Sequence, residues 1–147
     1  MSDKKQFLTR KEYYDKMGDR DHVYTFEDCP FCAVEDNAGH TLWKGENWYI
    51  LHNISPYTWD GWHIMAVPYR HHRFFSDLDK DEISEIPEVH SFVKTFFWEK
   101  HYFSCTRETM ANRSIEHFHM HFISGKLQGK YLRKMLEDQG FPIKQDL

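Results

Sequence analysis

The chain has 147 residues, 40% of them hydrophobic and 17% aromatic, with 12 Phe, 8 Tyr and 5 Trp. That length suits one domain, 1–147, and that aromatic content excludes wholesale disorder. The net charge of −4 speaks against a protein that neutralises many nucleic-acid phosphates, though not against a small phosphorylated substrate held at one site. No stretch approaches the ~18 apolar residues of a membrane span. Met1 to Arg10 is polar and lacks an apolar signal core, so no membrane partner and a cytoplasmic location are expected. Two counts stand out: 11 His, and three Cys, of which Cys29 and Cys32 are close together and Cys105 is alone.

Thr9-Arg10-Lys11-Glu12 has the form of a capping box and predicts a short helix ending near Gly18. Residues 19–40 read as an irregular segment. Thr41 to Ile54 holds two aromatic and β-branched runs around Gly45-Glu46-Asn47, which predicts a hairpin. A loop with Pro56 and Gly61 follows, then a third strand from His63 to Val67, stopped by Pro68. Asp79 to Lys100 predicts a long helix, because Ile83, Ile86, Val89, Phe92, Val93 and Phe96 recur at spacings of three and four. Pro87 within it predicts a kink or the first turn of a second helix. Phe103 to Thr109 and Ile115 to Ser124 predict a fourth and a fifth strand. Leu127 to Gln139 predicts a final helix, with Gly140 and Pro142 beyond its end. Lys126, Lys130, Arg133 and Lys134 read as its solvated face. The order predicts an α+β domain: an antiparallel sheet of about five strands with one long helix and short terminal helices.

The sharpest motif is His117-Phe118-His119-Met120-His121-Phe122-Ile123. In an extended chain successive side chains alternate, so three imidazoles share one face and Phe118, Met120 and Phe122 the other. One reading is a polar outer face that happens to be histidine. A second is a metal site, since imidazole is the commonest metal ligand. A third is nucleophilic catalysis, in which one neutral imidazole attacks phosphorus and its neighbours hydrogen-bond the phosphate and move protons. Spacing alone does not separate the second from the third. Cys29-Pro30-Phe31-Cys32 has the spacing of a zinc knuckle, and equally that of a redox pair or of two reduced thiols.

The triad segment resembles the defining pattern of the histidine triad (HIT) superfamily, His-φ-His-φ-His-φ-φ with φ apolar. Asn53-Ile54-Ser55-Pro56-Tyr57 and His63-Ile64-Met65-Ala66-Val67-Pro68-Tyr69-Arg70-His71 are similar to that family's upstream block, in which a His opens a strand ending in Pro-x-x-His. Cys29 to Cys32 resembles the Cys-x-x-Cys near the start of many members. The match spans about residues 29–123, in the family's order, and leaves 124–147 as a C-terminal helical extension.

The resemblance implies a HIT-like fold and a nucleotide hydrolase or nucleotidyl transferase cleaving at the α-phosphate of a nucleoside phosphate ester, anhydride or phosphoramidate. It implies His119 as nucleophile, forming a nucleotidyl-histidine intermediate, with His117 and His121 flanking it and Ser114 near the leaving group. Nucleotide contacts fall to Asn53, His63 and Arg113. It implies no cofactor for the chemistry, but a structural zinc on Cys29, Cys32, His71 and His117, with His72 as rival to His71. A homodimer is the family's common state. Several positions depart from the family pattern. Arg113 stands where Gln is usual, the usual Asn-x-Gly is replaced by the stretch from Thr106 to Asn112, and Trp62 takes the Gly position before His63. Trp59 and Trp62 are candidates to stack on a base. Two other functional readings stay open here: a metal-dependent hydrolase using the three His as ligands, and a nucleotide-binding protein without turnover.

Overall fold

The computed structural model describes residues 27–58, 60–108, 115–126 and 130–138. The helix expected near residues 9–18 lies outside them. A 3-10 segment, Val34–His40, leads into β1 (Thr41–Lys44) and β2 (Trp48–His52). Then come β3 (His63–Pro68), a short 3-10 turn (Phe75–Asp77), α1 (Lys80–Phe97), β4 (Tyr102–Cys105), β5 (Met120–Ser124) and α2 (Lys130–Asp138). The strands form one five-stranded sheet in the order β1-β2-β3-β5-β4, antiparallel throughout. The chain is thus the expected α+β domain. Among the described residues no helix is long and apolar enough to cross a membrane.

The two faces of the sheet have different occupants. Trp48, Ile50, Ile64, Ala66, Phe118, Met120 and Phe122 meet Val89, Val93 and Phe97 of α1 in the main core. The opposite face is covered in two parts. Cys29 and Phe31 pack on Tyr49, Leu51, Met65 and Val67, while Met135 of α2 packs on Phe103 and Ile123. The period of two along β2, β3 and β5 sorts these side chains. Trp62, next to His63, falls on the α1 face, its ring 5.1 Å from Phe96.

The long helix differs from expectation in two ways. It runs through Pro87 without starting a second helix. Pro87 and Ile83 both face solvent, so water can satisfy the Ile83 carbonyl that proline leaves without a donor. Ile83, expected on the buried stripe, is 43% exposed, while Glu82 and Glu85 are buried. The carboxylate of Glu82 accepts from the Asp79 N–H at 2.8 Å, and Asp79 returns the bond to the Glu82 N–H at 2.9 Å, a reciprocal cap at the helix start. Glu85 accepts from the N–H groups of Glu46 and Asn47, each at 2.8 Å, so the helix clamps the β1–β2 turn by its backbone. The final helix is described from Lys130 to Asp138; its expected start at Leu127 lies outside the described residues, and its basic face is solvated. Arg133 and Glu137 pair at 3.1 Å and Lys134 and Asp138 at 3.4 Å.

Replacing Glu85 by Ala leaves two turn N–H groups without their acceptor. It is expected to lower unfolding free energy by about 1–3 kcal/mol, read by urea denaturation; an unchanged midpoint would show that the clamp is dispensable.

Candidate functional site

The triad segment is only partly in the sheet. β5 begins at Met120, so His117 and His119 precede it and the expected start at Ile115 is corrected. Among the described residues, this stretch is held by a backbone bond from the Phe118 N–H to the His72 carbonyl at 2.6 Å, together with the side chains. Alternation still operates: Phe118, Met120 and Phe122 enter the main core, and the imidazoles lie on the other side. These imidazoles do not form an open surface. His117 is 0% and His121 3% exposed, and only His119 of the three is half-buried.

His117 faces the cysteine pair. Its Nδ1 lies 3.4 Å from Sγ of both Cys29 and Cys32, and Nδ1 of His71 lies 3.3 Å from Cys32 Sγ. The donor atoms of Cys29, Cys32, His71 and His117 all fall within 4.8 Å of one another. Sulfur-to-nitrogen edges of a tetrahedral zinc site measure about 3.5 Å from Zn–S and Zn–N bond lengths, so this cluster has the right chemistry and spacing for the ion. The Nε2–H of His117 donates to the Pro68 carbonyl at 2.7 Å, which leaves Nδ1 with its lone pair toward the sulfurs, as a ligand nitrogen requires. Burial pushes the Cys29 thiol up and the Cys32 thiol up to about 12; a divalent cation reverses that preference by stabilising thiolates. His72, the rival ligand, is committed elsewhere, its Nε2 lying 3.0 Å from the Glu82 carboxylate.

His119 donates from Nδ1 to the carbonyl of His117 at 2.7 Å. Its Nε2 then carries the lone pair. Phe31, between the two cysteines, packs edge-on against His119 at 5.0 Å between centroids and against His117 at 5.9 Å. The cysteine loop therefore forms one wall beside His119.

A second chain of donors fixes His121. The Tyr57 N–H donates to Nδ1 of His63 at 3.2 Å, so the His63 proton sits on Nε2. That proton is donated to Nδ1 of His121 at 2.8 Å, which places the His121 proton on its own Nε2. Burial holds His63 down at about 3 and His121 well below the usual histidine range; Arg107, and His119 when protonated, act in the same direction. Both rings are neutral at pH 7. Asn53 sits beside this relay. Its Oδ1 accepts from the Ser55 N–H at 2.8 Å, its backbone N–H donates to the His63 carbonyl at 2.9 Å, and its Nδ2 is 3.3 Å from His63 Nδ1.

The structure thus brings together His117, His119, His121, His63, Asn53, Cys29, Cys32 and His71. Ser114, Arg113 and Trp59 lie outside the described residues. Trp62 is not at this site, since it packs on α1. Three residues without an expected role are present: Phe31, Tyr57 (ring 4.4 Å from His63 and 5.5 Å from His121) and Arg107. Phe31 is signalled by its place inside Cys-x-x-Cys. The other two become visible only once loop and strand register are known.

The family described as "Scavenger mRNA decapping enzyme C-term binding", a HIT-like family, matches residues 26–136. The chain belongs to the histidine triad superfamily. Solved structures agree in fold. A HIT family hydrolase from Clostridium thermocellum superposes with a TM-score of 0.58 at 19% identity, over 71% of this chain and 96% of that one. A histidine triad nucleotide-binding protein from Candida albicans gives 0.56 at 21%, over 67% and 75%. The diadenosine triphosphate hydrolase of Plasmodium falciparum gives 0.52 at 19%, over 67% and 71%. A comparison with curated proteins returns no match. The HIT fold is the one expected from the triad and its upstream block.

The neutral relay has a consequence for stability. Free histidine takes up a proton near pH 6.5, whereas folded His63 resists it until about pH 3. The unfolded chain therefore binds more protons across that window, and stability falls as pH drops from about 6.5 toward 3, by up to about 1.4 kcal/mol per pH unit for this histidine. Urea unfolding of the protein at several pH values should show a steeper decline than a His63→Gln variant; equal slopes would place His63 outside this linkage.

Proposed function

We propose that this HIT protein is a nucleotide hydrolase or nucleotidyl transferase working through a covalent nucleotidyl-His119 intermediate. The observation that carries the reading is the orientation of His119. Its Nδ1–H is tied to the His117 carbonyl, so the Nε2 lone pair is the nucleophile, on the half-buried member of a triad whose other two rings are buried. In the first step Nε2 attacks the α-phosphorus, a P–N bond forms, and the bond to the leaving group breaks with a proton passing to the departing oxygen or nitrogen. In the second step water attacks the same phosphorus, the P–N bond breaks, and a nucleoside monophosphate leaves. His121, with its proton held on Nε2, donates to a non-bridging phosphate oxygen as charge accumulates there. Ser114 is assigned to the leaving group, and Asn53 with His63 and Arg113 to the nucleotide. The dinucleoside polyphosphates and the nucleoside phosphoramidates are the substrate classes to test first.

The hydrogen bonds favour this reading over one in which all three triad rings ligate a catalytic metal. Nδ1 of His119 and Nδ1 of His121 are both used within the protein, and His117 turns toward the cysteines. The same proposal assigns a structural zinc to Cys29, Cys32, His71 and His117. Its role is to hold the N-terminal segment against the triad, and no step of the reaction passes through it. Homodimerisation and a cytoplasmic location belong to the proposal as well; Ile83 and Trp98, exposed on and just past α1, offer apolar surface for a second copy.

Quenching the reaction in acid-free denaturant with a labelled nucleotide should trap one adduct on His119, located by peptide mass spectrometry. His119→Asn should abolish the adduct and lower turnover at least about 1,000-fold while nucleotide binding persists; a fully active variant would end the covalent reading. For the metal, the purified protein should carry about one zinc per chain, and Cys29→Ser should lose it together with at least about 2 kcal/mol of stability. A metal-free protein of unchanged stability in that variant would remove the zinc assignment.

A further inference from the structure

β4 ends at Cys105, which pairs with His121 across the ladder. Arg107 lies two residues past the end of that strand. The side chain reaches back toward the site. Its guanidinium carbon lies 5.6 Å from the centre of the Tyr57 ring, and that ring covers both His63 and His121. Arg107 is half-buried and occupies the stretch from Thr106 in which this chain departs from the usual Asn-x-Gly.

The position matters because of what the cluster lacks. His121 and His63 are buried and engaged as neutral rings in one donor chain, and the His117 imidazole turns to the sulfurs. These groups can orient a phosphate but carry no charge to offset its anion. An arginine is charged at every relevant pH, and its planar fork matches phosphate oxygens. Seated over an aromatic face, a guanidinium presents its N–H edge sideways.

We propose that Arg107 binds a phosphate oxygen of the substrate and supplies a fixed positive charge to the histidine site. This rests on the nucleotide reading above and adds to it a residue outside the triad and its upstream block. Arg107 follows β4 closely and is seated on Tyr57, so it is present before substrate arrives, and binding needs no large rearrangement of the cation.

The test compares nucleoside monophosphates with the matching nucleosides, for all four ribonucleosides, by competition binding to the zinc-loaded protein. The wild type should bind the monophosphate more tightly than its nucleoside. Arg107→Gln should weaken monophosphate binding by about 10- to 100-fold, the scale of a lost charge-assisted contact, with nucleoside affinity and melting temperature unchanged. Arg107→Lys should recover part of the loss. Equal weakening of both ligands, no weakening, or a wild type that does not favour the phosphate would each overturn the proposal. Failure of the two proposals is separable: absence of a His119 adduct with an intact Arg107-dependent phosphate preference retires the covalent reading alone, and an adduct with no such preference retires Arg107 alone.

Discussion

The site depends on one imidazole, His117, and on what its three polar positions do. Its Nε2–H is spent on the Pro68 carbonyl, its Nδ1 faces two sulfurs, and its backbone carbonyl receives the Nδ1–H of His119. If Nε2 lost its acceptor, the ring could exchange its tautomer and turn Nδ1 from an acceptor into a donor, which no metal ligand can be. If the carbonyl moved, His119 would no longer present a defined lone pair. The residues that hold His117 are far apart in sequence, so the geometry exists only in the folded chain. Phe31 adds steric support by touching both rings.

A second constraint is that the imidazoles of His63, His117 and His121 are buried. Buried rings stay neutral, and a neutral ring is both donor and acceptor, so protons can be arranged in a chain with a defined direction. Here the direction is set by a backbone N–H, that of Tyr57. An amide nitrogen cannot accept, which removes the ambiguity that a pair of hydrogen-bonded histidines would otherwise have. The same burial lowers stability in acid, so the arrangement that orders the donors also sets a pH limit on the fold.

The parts legible in the sequence are those governed by short-range rules. The hairpin around Gly45 to Asn47, the third strand ending at Pro68, the Asp79 start of the long helix and the alternation of Phe118, Met120 and Phe122 against the histidines all follow from period and turn chemistry. The candidate metal ligands Cys29 and Cys32 are visible in their spacing, whereas His71 and His117 follow from the family likeness. What was not legible depends on contacts between distant segments. Ile83 fits the apolar stripe of the helix, yet Glu82 and Glu85 take the buried positions, because each carboxylate finds backbone N–H groups that pattern counting ignores. Trp62 looks like a base-stacking residue in a loop, but one position from His63 it must fall on the opposite face. Arg107 gains its place only from its contact with Tyr57, fifty residues earlier in the chain.

Glu82 shows how the two faces of the sheet communicate. It caps α1 through the Asp79 N–H, accepts the Trp48 indole's neighbour contact through its own carbonyl, to which Trp48 Nε1–H donates at 2.8 Å, and holds the His72 ring on its carboxylate. The His72 carbonyl in turn receives the Phe118 N–H, in the middle of the triad segment. A 1%-exposed carboxylate would be costly if unpaired, but here every oxygen has a donor, so it acts as a rigid joint. The helix that fills the apolar core thereby fixes the backbone between His117 and His119, and the His71 next to His72 is carried into the cysteine cluster by the same anchor. Core packing on one face and chemistry on the other are therefore joined through a polar contact at the helix start, and not through the sheet alone.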